Sequence, residues 1–474
     1  MNFNTMNRFA KYTLNVSFLS GIFYTYNKCN KYYSPEEIKK HKEEEDVWVS
    51  YKGNVYDITK FINIHPGGKE KIMQAAGKPI EPYWEKYQQH YSENVLKILE
   101  EYKIGTTDEF KNIDDPYKDE PSRSEFLKEL KNKPYNAEPD LISLRKNYIT
   151  PNEFIFVRNH HPVPKIDISN YKLNLNDNNK EICLSIKELK KKFKSHNVTT
   201  TIQCAGNRRI EFEKIDKVLG LPWVGGAIFN AKWTGIYLKD LIKELNLDSS
   251  KKFVHLIGVD EPFDCSISIE KVMDENSEVL IAFEMNGKEI PPDHGYPLRA
   301  IVPGYFGGKN IKWLKEIKLS DEESFSTWQR GIAYKGLSPN IKDVSQIENK
   351  IIKNTPTIEE LPVQSIICEV IEDYSENSVL VKGIAYSGGG KNIIRVDVSN
   401  NNGETWNTAD LKEGSEQVKN KAWAWTFWQI ELPKNNTKFL SKAIDISYNT
   451  QPDNIKNIWN LRGILNNSIF RYFL

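Results

Sequence analysis

The chain has 474 residues, 39% hydrophobic and 27% charged, with 65 Lys and Arg against 64 Asp and Glu for a formal net charge of +1. That balance excludes the strongly basic footprint of a nucleic-acid binder, and the length suits roughly three domains of about 150 residues. With 23 Tyr, 21 Phe and 11 Trp the chain has the material for packed cores, which excludes a wholly disordered protein.

Residues 1–35 contain no Asp or Glu but carry Arg8, Lys11, Lys28 and Lys31. Phe9, Tyr12, Val16, Leu19 and Phe23 recur at three- and four-residue steps, which places them on one helical face. A basic, hydroxyl-rich, acid-free amphipathic segment reads as a mitochondrial transit peptide, with a disordered N-terminus as the alternative. Its apolar stretch, residues 18–26, is broken by Ser20, Gly21 and Thr25 and is far shorter than the ~20 residues a membrane span needs. No stable membrane insertion is expected.

Residues 36–107 form the next block. Strand-like pieces flank the turn Lys52-Gly53-Asn54, and a helical stretch contains Ile72, Met73 and Ala76. His65 opens the run His65-Pro66-Gly67-Gly68, in which a fixed proline φ and two glycines allow a tight reversal at a pocket lip. His90 follows 25 positions later. Two imidazoles on opposite sides of an iron porphyrin leave no open coordination position, which favours electron transfer over oxygen chemistry. With Trp48-Val49, the run Tyr56 to Thr59, Phe61 and the closing Tyr102-Lys103-Ile104-Gly105, residues 42–105 resemble a cytochrome b5-type domain. The resemblance implies that His65 and His90 are the axial ligands of haem b. His41 lies outside the motif and reads as solvated. Residues 108–124, rich in charge and containing Pro116 and Pro121, read as a solvated flexible linker.

Residues 125–355 hold Cys204, preceded by a β-branched run at 198–202 and followed by Ala205 and Gly206, small enough for a bulky group to approach. Neighbouring Arg208 and Arg209 favour a thiolate, which serves either as a soft metal ligand or as a nucleophile. The five cysteines are odd in number and contain no CxxC pair, which argues against a disulfide framework or a Cys-rich zinc site. Cys183, Cys265 and Cys368 read as buried and inert. The run Cys204 to Arg209, with Phe156 to His160, Asp293 to Arg299, Leu221-Pro222-Trp223, Ile311-Lys312-Trp313 and Trp328-Gln329-Arg330, resembles the molybdenum-cofactor domain of the sulfite oxidase family.

The resemblance implies that Cys204 supplies the protein thiolate to molybdenum. It assigns the molybdopterin to Phe156, Val157, Arg158, Asn159, His160, Asp260, His294, Arg299, Asn310, Ile311 and Lys312, with main-chain contacts only from Phe156, Val157 and Ile311. Arg299 and Lys312 have the charge a phosphate needs, assisted by amides of residues 304–308. Arg158, Arg209 and Arg462 match substrate-site positions, Trp223 the pocket tryptophan and Tyr334 the active-site tyrosine. Two departures stand out: residues 329–334 are one longer than the family pattern, and His161 replaces an apolar residue.

From residue 356 to 474 the pattern changes to short strands, with Ile394, Val396 and Val398 alternating toward Asn402-Gly403, and Trp423 and Trp425 alternating before Phe427 and Trp428. These read as a β-sandwich with tryptophans in a core or interface. The segment resembles the family's immunoglobulin-like dimerisation domain, so a homodimer is expected. The fold class is therefore α+β multidomain: a b5-like haem domain, a mixed α/β molybdopterin fold and a β-sandwich.

Taken with the b5-like block, the resemblance implies oxidation of sulfite to sulfate at a Mo-molybdopterin centre. Electrons would pass singly through the haem to cytochrome c in the mitochondrial intermembrane space. Two other readings are weaker. An assimilatory nitrate reductase would place its haem block after the molybdenum domain and add a flavin module. A haem-binding interaction protein with a degenerate molybdenum domain conflicts with intact Cys204, Arg158, Arg209, Arg462 and Tyr334. A tethered carrier must be able to reach donor and acceptor, so shortening residues 108–124 is expected to slow intramolecular electron transfer in flash photolysis.

Overall fold

Lys52 and Gly53 take φ values of +46° and +72°, the conformation of a two-residue hairpin turn whose twist matches its strands. The strands Asp46–Tyr51 and Asn54–Asp57 therefore pair directly, Tyr51 opposite Asn54. The computed structural model describes residues 31–474 except 87, 109–114, 261–262, 348 and 435–436. It divides into two units, Met1–Asp119 and Glu120–Leu474.

In the first unit Lys103–Thr106 extends the hairpin on one side and Lys42–Glu43 on the other, with Lys78–Pro79 added in parallel to Asp46–Tyr51. Short helices, Lys69–Met73, Glu81–Lys86 and Glu93–Glu100, close a core of Val47, Val49, Ile62, Ala76, Trp84 and Leu99. Most of the expected transit peptide, residues 1–30, lies outside the described residues. Its last positions join the sheet edge: Thr106 exchanges main-chain hydrogen bonds with Lys31 (2.8 Å) and Tyr33 (2.9 Å), and Tyr33 packs edge-on against Trp48. His41 is not simply solvated. Its ring stacks on Trp48 at 3.4 Å and Nδ1 meets the Asp46 carboxylate at 2.6 Å.

Residues 109–114 of the expected linker lie outside the described residues, and its last part is anchored within the second unit. Glu120 accepts from the Val163 amide (2.8 Å), and Arg123 donates two hydrogen bonds to Asp293 (3.0 Å each). Charges that look solvated in sequence are here paired with residues far along the chain.

Three sheets build the middle of the second unit. The largest core lies on the mixed sheet ordered Glu181–Leu184, Leu173–Asn176, Leu314–Ser320, Phe253–Gly258 and Asp264–Ser268, in which only the Leu173–Asn176 and Leu314–Ser320 pair is parallel. The others are His196–Gln203, Ile228–Tyr237 and Leu280–Met285 with two short strands, and the small sheet of Lys128–Lys131, Asn136–Glu138 and Val157–Arg158. Cys265 and Cys368 are buried as expected, their thiols pushed up to about 12 by desolvation. Cys183 is exposed, because side chains alternate along the strand Glu181–Leu184 and Ile182 and Leu184 take the face toward the core.

The C-terminal part has two four-stranded sheets, one built on Gln364–Ser375, Ser378–Tyr386 and Thr426–Pro433, the other on Ile393–Ser399, Lys438–Asp445 and Phe470–Phe473. Both contribute to one core, with Val379, Val381 and Trp428 from the first and Val396, Val398 and Phe439 from the second. The expected inward Ile394 is 42% exposed. A register shift between Ile393 and Arg395 turns Ile393 inward instead. Trp423 and Trp425 precede the strand and tie this part to the middle sheets: Thr201 donates its amide to the Trp423 carbonyl (2.9 Å), and its hydroxyl accepts from the Trp425 amide (2.8 Å).

Gly383 sits opposite Trp428 across the sheet, and a Cβ there would collide with the Trp428 ring and the Ile366 carbonyl. Gly383→Ala is expected to destabilise the chain by about 1–3 kcal/mol, read as a lower midpoint in urea unfolding.

Candidate active site

The strand His196–Gln203 ends one residue before Cys204, and the chain then turns. The Cys204 amide donates to the Ala227 carbonyl (3.0 Å), and its carbonyl accepts from Asn207 (2.9 Å). Asn207 in turn clamps the facing loop, donating from Nδ2 to Gly225 O (3.1 Å) and accepting from the Ala227 amide (3.1 Å). The Glu138 carboxylate holds that same loop through the amides of Val224, Gly225 and Gly226. Cys204 is thereby fixed from its backbone at the wall of a cavity that it helps to line.

Strands from all three middle sheets end or begin at this cavity. Phe156, Arg158, His160 and Asp260 line it, as do His294, Arg299, Asn310, Lys312 and Tyr334. Tyr334 lies in the turn Ile332–Tyr334 against Phe306, with ring centroids 4.4 Å apart, so the longer spacing of residues 329–334 does not carry it away. The other expected residues stand behind the wall. Val157 and Ile311 put their side chains into separate cores, and the Ile311 carbonyl is taken by the Ala300 amide. Asn159 is buried and donates to Asp293 (2.8 Å). Trp223 is fully buried, edge-on to Phe156, and its indole N–H has no hydrogen-bond partner among the described residues. His161 is also buried.

The two adjacent arginines have opposite fates. Arg208, at φ +62°, turns away from Cys204: its guanidinium grips both Glu211 oxygens (2.7 and 2.8 Å) and the Ser468 carbonyl (2.9 Å). It is a paired structural cation and not the neighbour of a thiolate, which corrects the expectation from sequence. Arg209 turns inward and finds only carbonyls, with Nε to Arg462 and Gly463 (3.1 Å each) and Nη1 to Leu221 (2.8 Å). Gly220 and Gly463 make room for it, since a Cβ at either would lie 2.7 Å from its side chain, and a Cβ at Gly206 would collide with the guanidinium.

Arg158 likewise donates to the Asn136 side chain (3.0 Å) and the Asn159 carbonyl (2.7 Å), and Arg462 to the Ala333 carbonyl (3.4 Å). Burial lowers the pKa of all three, and Arg158 and Arg462 lower that of Arg209 further by repulsion. Among the described residues none of the three pairs with a carboxylate. Arg158 lines the cavity itself; a cluster of desolvated cations without counter-charge is unfavourable by itself, and an anion at this end would offset that cost.

The opposite end is sorted differently. Arg299 donates only to the carbonyls of Asn310 (3.3 Å) and His294 (3.0 Å), and burial brings its pKa to about 9, still charged at neutral pH. Lys312 directs its ammonium to the Arg158 carbonyl (3.0 Å), Asn159 Oδ1 and the Asp293 carbonyl (2.9 Å), so all three protons already hold the wall together. Burial keeps both histidines neutral, His294 at about 3 and His160 well below its ordinary range. Gly307 and Gly308, in the 304–308 segment expected to lend amides, line the cavity, as do Phe229 and Phe263, which were not singled out from sequence. Aromatic residues carry no local signal of a site. Asp293 was also missed as a participant, although it adjoins His294; Arg123 neutralises it across 170 positions.

In the first unit, His65 and His90 face each other with ring planes 10° from parallel and centroids 6.0 Å apart, room for one metal ion between two nitrogen donors at about 2 Å each. His65 Nδ1 lies 3.1 Å from the Gly68 carbonyl, a contact that directs Nε2 toward the gap. Trp84 stacks on His90 at 5.4 Å. The donor sets thus fit both implied groups. A haem takes the paired imidazoles, and a molybdenum cofactor takes a soft thiolate at one wall and the uncompensated Arg299 for its phosphate.

Comparison with known proteins agrees with this division. Residues 34–108 match the cytochrome b5-like heme/steroid binding domain family, 160–328 the oxidoreductase molybdopterin binding domain, and 355–474 the Mo-co oxidoreductase dimerisation domain. Mitochondrial sulfite oxidase of Rattus norvegicus is 41% identical over 93% of this chain and 83% of its own length. Sulfite oxidase of Gallus gallus is 39% identical over 93% and 99%. The crystal structure of the sulfane dehydrogenase SoxCD from Paracoccus pantotrophus superposes with a TM-score of 0.60 at 24% identity, covering 76% of this chain and 92% of that one, a likeness of fold. His65→Ala and His90→Ala are each expected to abolish the bis-imidazole haem spectrum while leaving molybdenum content, measured by metal analysis, unchanged.

Proposed function

The chain belongs to the sulfite oxidase family, and from that premise we propose how its own residues divide the oxidation of sulfite to sulfate. It is a molybdohaem oxidoreductase of the mitochondrion with sulfite as substrate, and its C-terminal part makes it a homodimer. When bound, the molybdenum centre supplies oxygen-atom transfer and accepts two electrons, and the haem carries them away singly.

The observation that carries the assignment of residues is the set of guanidiniums of Arg158, Arg209 and Arg462, Arg209 buried and the other two half-buried, near Cys204 and Tyr334 and, among the described residues, with no carboxylate to neutralise them. Arg158 and Arg462 bind the sulfite oxygens, since planar guanidinium forks match an oxyanion better than a lysine. Arg209, gripped by three carbonyls, keeps less of its donor set for substrate and holds the segment carrying Arg462 against Leu221. Trp223, behind the wall, backs the Phe156 ring at the same cavity. Burial pushes the Tyr334 phenol up to about 12, so at neutral pH the hydroxyl is protonated and donates to an oxygen of the bound anion. Cys204 holds the molybdenum. Phe156 to His160, Asp260, His294, Arg299 and Asn310 to Lys312 hold the pterin, with Arg299 on the phosphate and Lys312 tying the wall. His65 and His90 hold the haem.

Cytochrome c in the intermembrane space is the proposed acceptor. Its expected basic surface suits the acidic run Glu43 to Asp46 of the haem unit, which is largely exposed. The proposed boundaries are residues 1–35 for the transit peptide, 36–107 for the haem domain, 108–124 for the linker, 125–355 for the molybdenum domain and 356–474 for an immunoglobulin-like dimerisation domain. The linker ends nearer residue 119, given the anchoring of Glu120 and Arg123, and the haem domain starts nearer residue 31.

Sulfite-dependent cytochrome c reduction by the molybdenum-loaded chain tests the reading; no reduction, with both cofactors present, would refute it. Arg462→Met is expected to raise KM for sulfite by roughly 10- to 100-fold, as for loss of a charged hydrogen bond of about 1.5–3 kcal/mol. Tyr334→Phe is expected to lower kcat by about 10²-fold, the scale for removing one transition-state donor.

A further inference from the structure

Residues 356–361 join the molybdenum domain to the C-terminal sheets, and composition alone marks them as a polar joint. In the fold they are a strap with hydrogen bonds on both sides. On one side the Ile358 amide donates to the Tyr334 carbonyl (2.9 Å), the Gly336 amide to Pro356 O (3.2 Å), and Lys335 bridges to Thr357. On the other side the Phe306 amide donates to Glu359 O (3.0 Å) and the Leu361 amide to Gly304 O (3.0 Å). The strap thus ties the segment carrying Tyr334 to the loop that carries Gly307 and Gly308 of the cavity. Gly308 lies so close to the phenol that a Cβ there would be 2.9 Å from Tyr334 Oη.

One side chain locks the assembly. Lys309, next to Gly308, is 1% exposed. Its ammonium lies 3.3 Å from the Glu359 carboxylate and donates to Gln329 Oε1 (2.9 Å) and the Ser266 carbonyl (2.8 Å). Gln329 belongs to the helical turn Thr327–Arg330 just before Tyr334, and its carbonyl accepts from the Thr357 hydroxyl (3.3 Å). A single buried cation therefore grips the strap, the approach to Tyr334 and the floor of the cavity. Behind it a polar cleft is lined by Gln329, Lys335, Thr357 and Glu359, so without the ion pair water has access to compete for these bonds.

We propose that Lys309, acting through Glu359 and Gln329, is a positioning residue for Tyr334, fixing the phenol against Gly308 without touching substrate or cofactor. This rests on the proposed role of Tyr334. The test is a double-mutant cycle on the loaded full-length chain, combined with amide hydrogen exchange. Lys309→Met is expected to lower kcat roughly 10-fold or more, the scale of a misplaced reacting group, with little change in KM or molybdenum content. In the Tyr334→Phe background the same substitution leaves kcat nearly unchanged. The Ile358 and Phe306 amides exchange faster in Lys309→Met by more than the fall in global stability, read from the slowest-exchanging core amides, accounts for. An equal loss of kcat in both backgrounds overturns the proposal. If Tyr334→Phe itself costs nothing, the role of Tyr334 fails, and exchange decides the strap: unchanged protection of Ile358 and Phe306 overturns it. Should Lys309→Met fail to fold, Glu359→Gln, at the more exposed end of the pair, carries the same cycle and the same exchange measurement.

Discussion

Three desolvated guanidiniums, one buried and two half-buried, that repel one another and among the described residues meet no carboxylate set the conditions for the rest of this molecule. Such an arrangement is unfavourable by itself, and the surrounding fold is organised to hold it. Carbonyls of Leu221, Ala333, Arg462 and Gly463 take the donors of Arg209 and Arg462, and Asn136 with the Asn159 carbonyl takes those of Arg158. Nearby carboxylates are engaged elsewhere, Glu138 by a row of amides and Asp293 by Arg123. The uncancelled charge is the binding energy available to an anionic substrate, and a low-dielectric wall makes it stronger than the same cations would be in water.

The C-terminal part is a component of this site as well as a platform for dimerisation. Arg462 lies more than 250 positions from Arg209 in sequence, yet its carbonyl is one of the acceptors that orient the Arg209 guanidinium. Trp423 and Trp425 close onto the edge of the strand that ends at Cys204. A disturbance of the C-terminal sheets therefore has a short physical path to the anion pocket, through packed main-chain contacts. The haem unit uses a different economy of parts: one tautomer-setting carbonyl, two facing imidazoles and an aromatic stack on His90.

Sequence motifs singled out Cys204, Arg158, Arg299 and Tyr334, which the fold gathers around one cavity, and His65 and His90, which it sets face to face, because each stands in a run of residues whose chemistry is legible in one dimension. The hairpin at Lys52-Gly53 was legible for the same reason, since both positive φ values belong to two neighbouring residues. Where the reading was incomplete, a long-range partner decided. Arg208 and Arg209 are indistinguishable as adjacent letters, and only the positions of Glu211 and Ser468 on one side and of the Leu221 and Gly463 carbonyls on the other separate a structural cation from a site cation. Ile394 lost its place in the core to Ile393 through a register shift, and Cys183 came to the surface because Ile182 and Leu184 took the core face of its strand.

The sequence by itself determined the order of the modules, the chemistry of the ligands and the near-neutral total charge, all of which reside in residue type and spacing. The tertiary structure alone decided which charges are cancelled. Arg123 and Glu120, read as part of a solvated tether, became a half-buried clamp on Asp293 and Val163, and Lys312, read as a phosphate ligand, turned its three protons to the wall. Pairing of charges depends on distance and burial between residues far apart in the chain, quantities that composition and local motif do not encode.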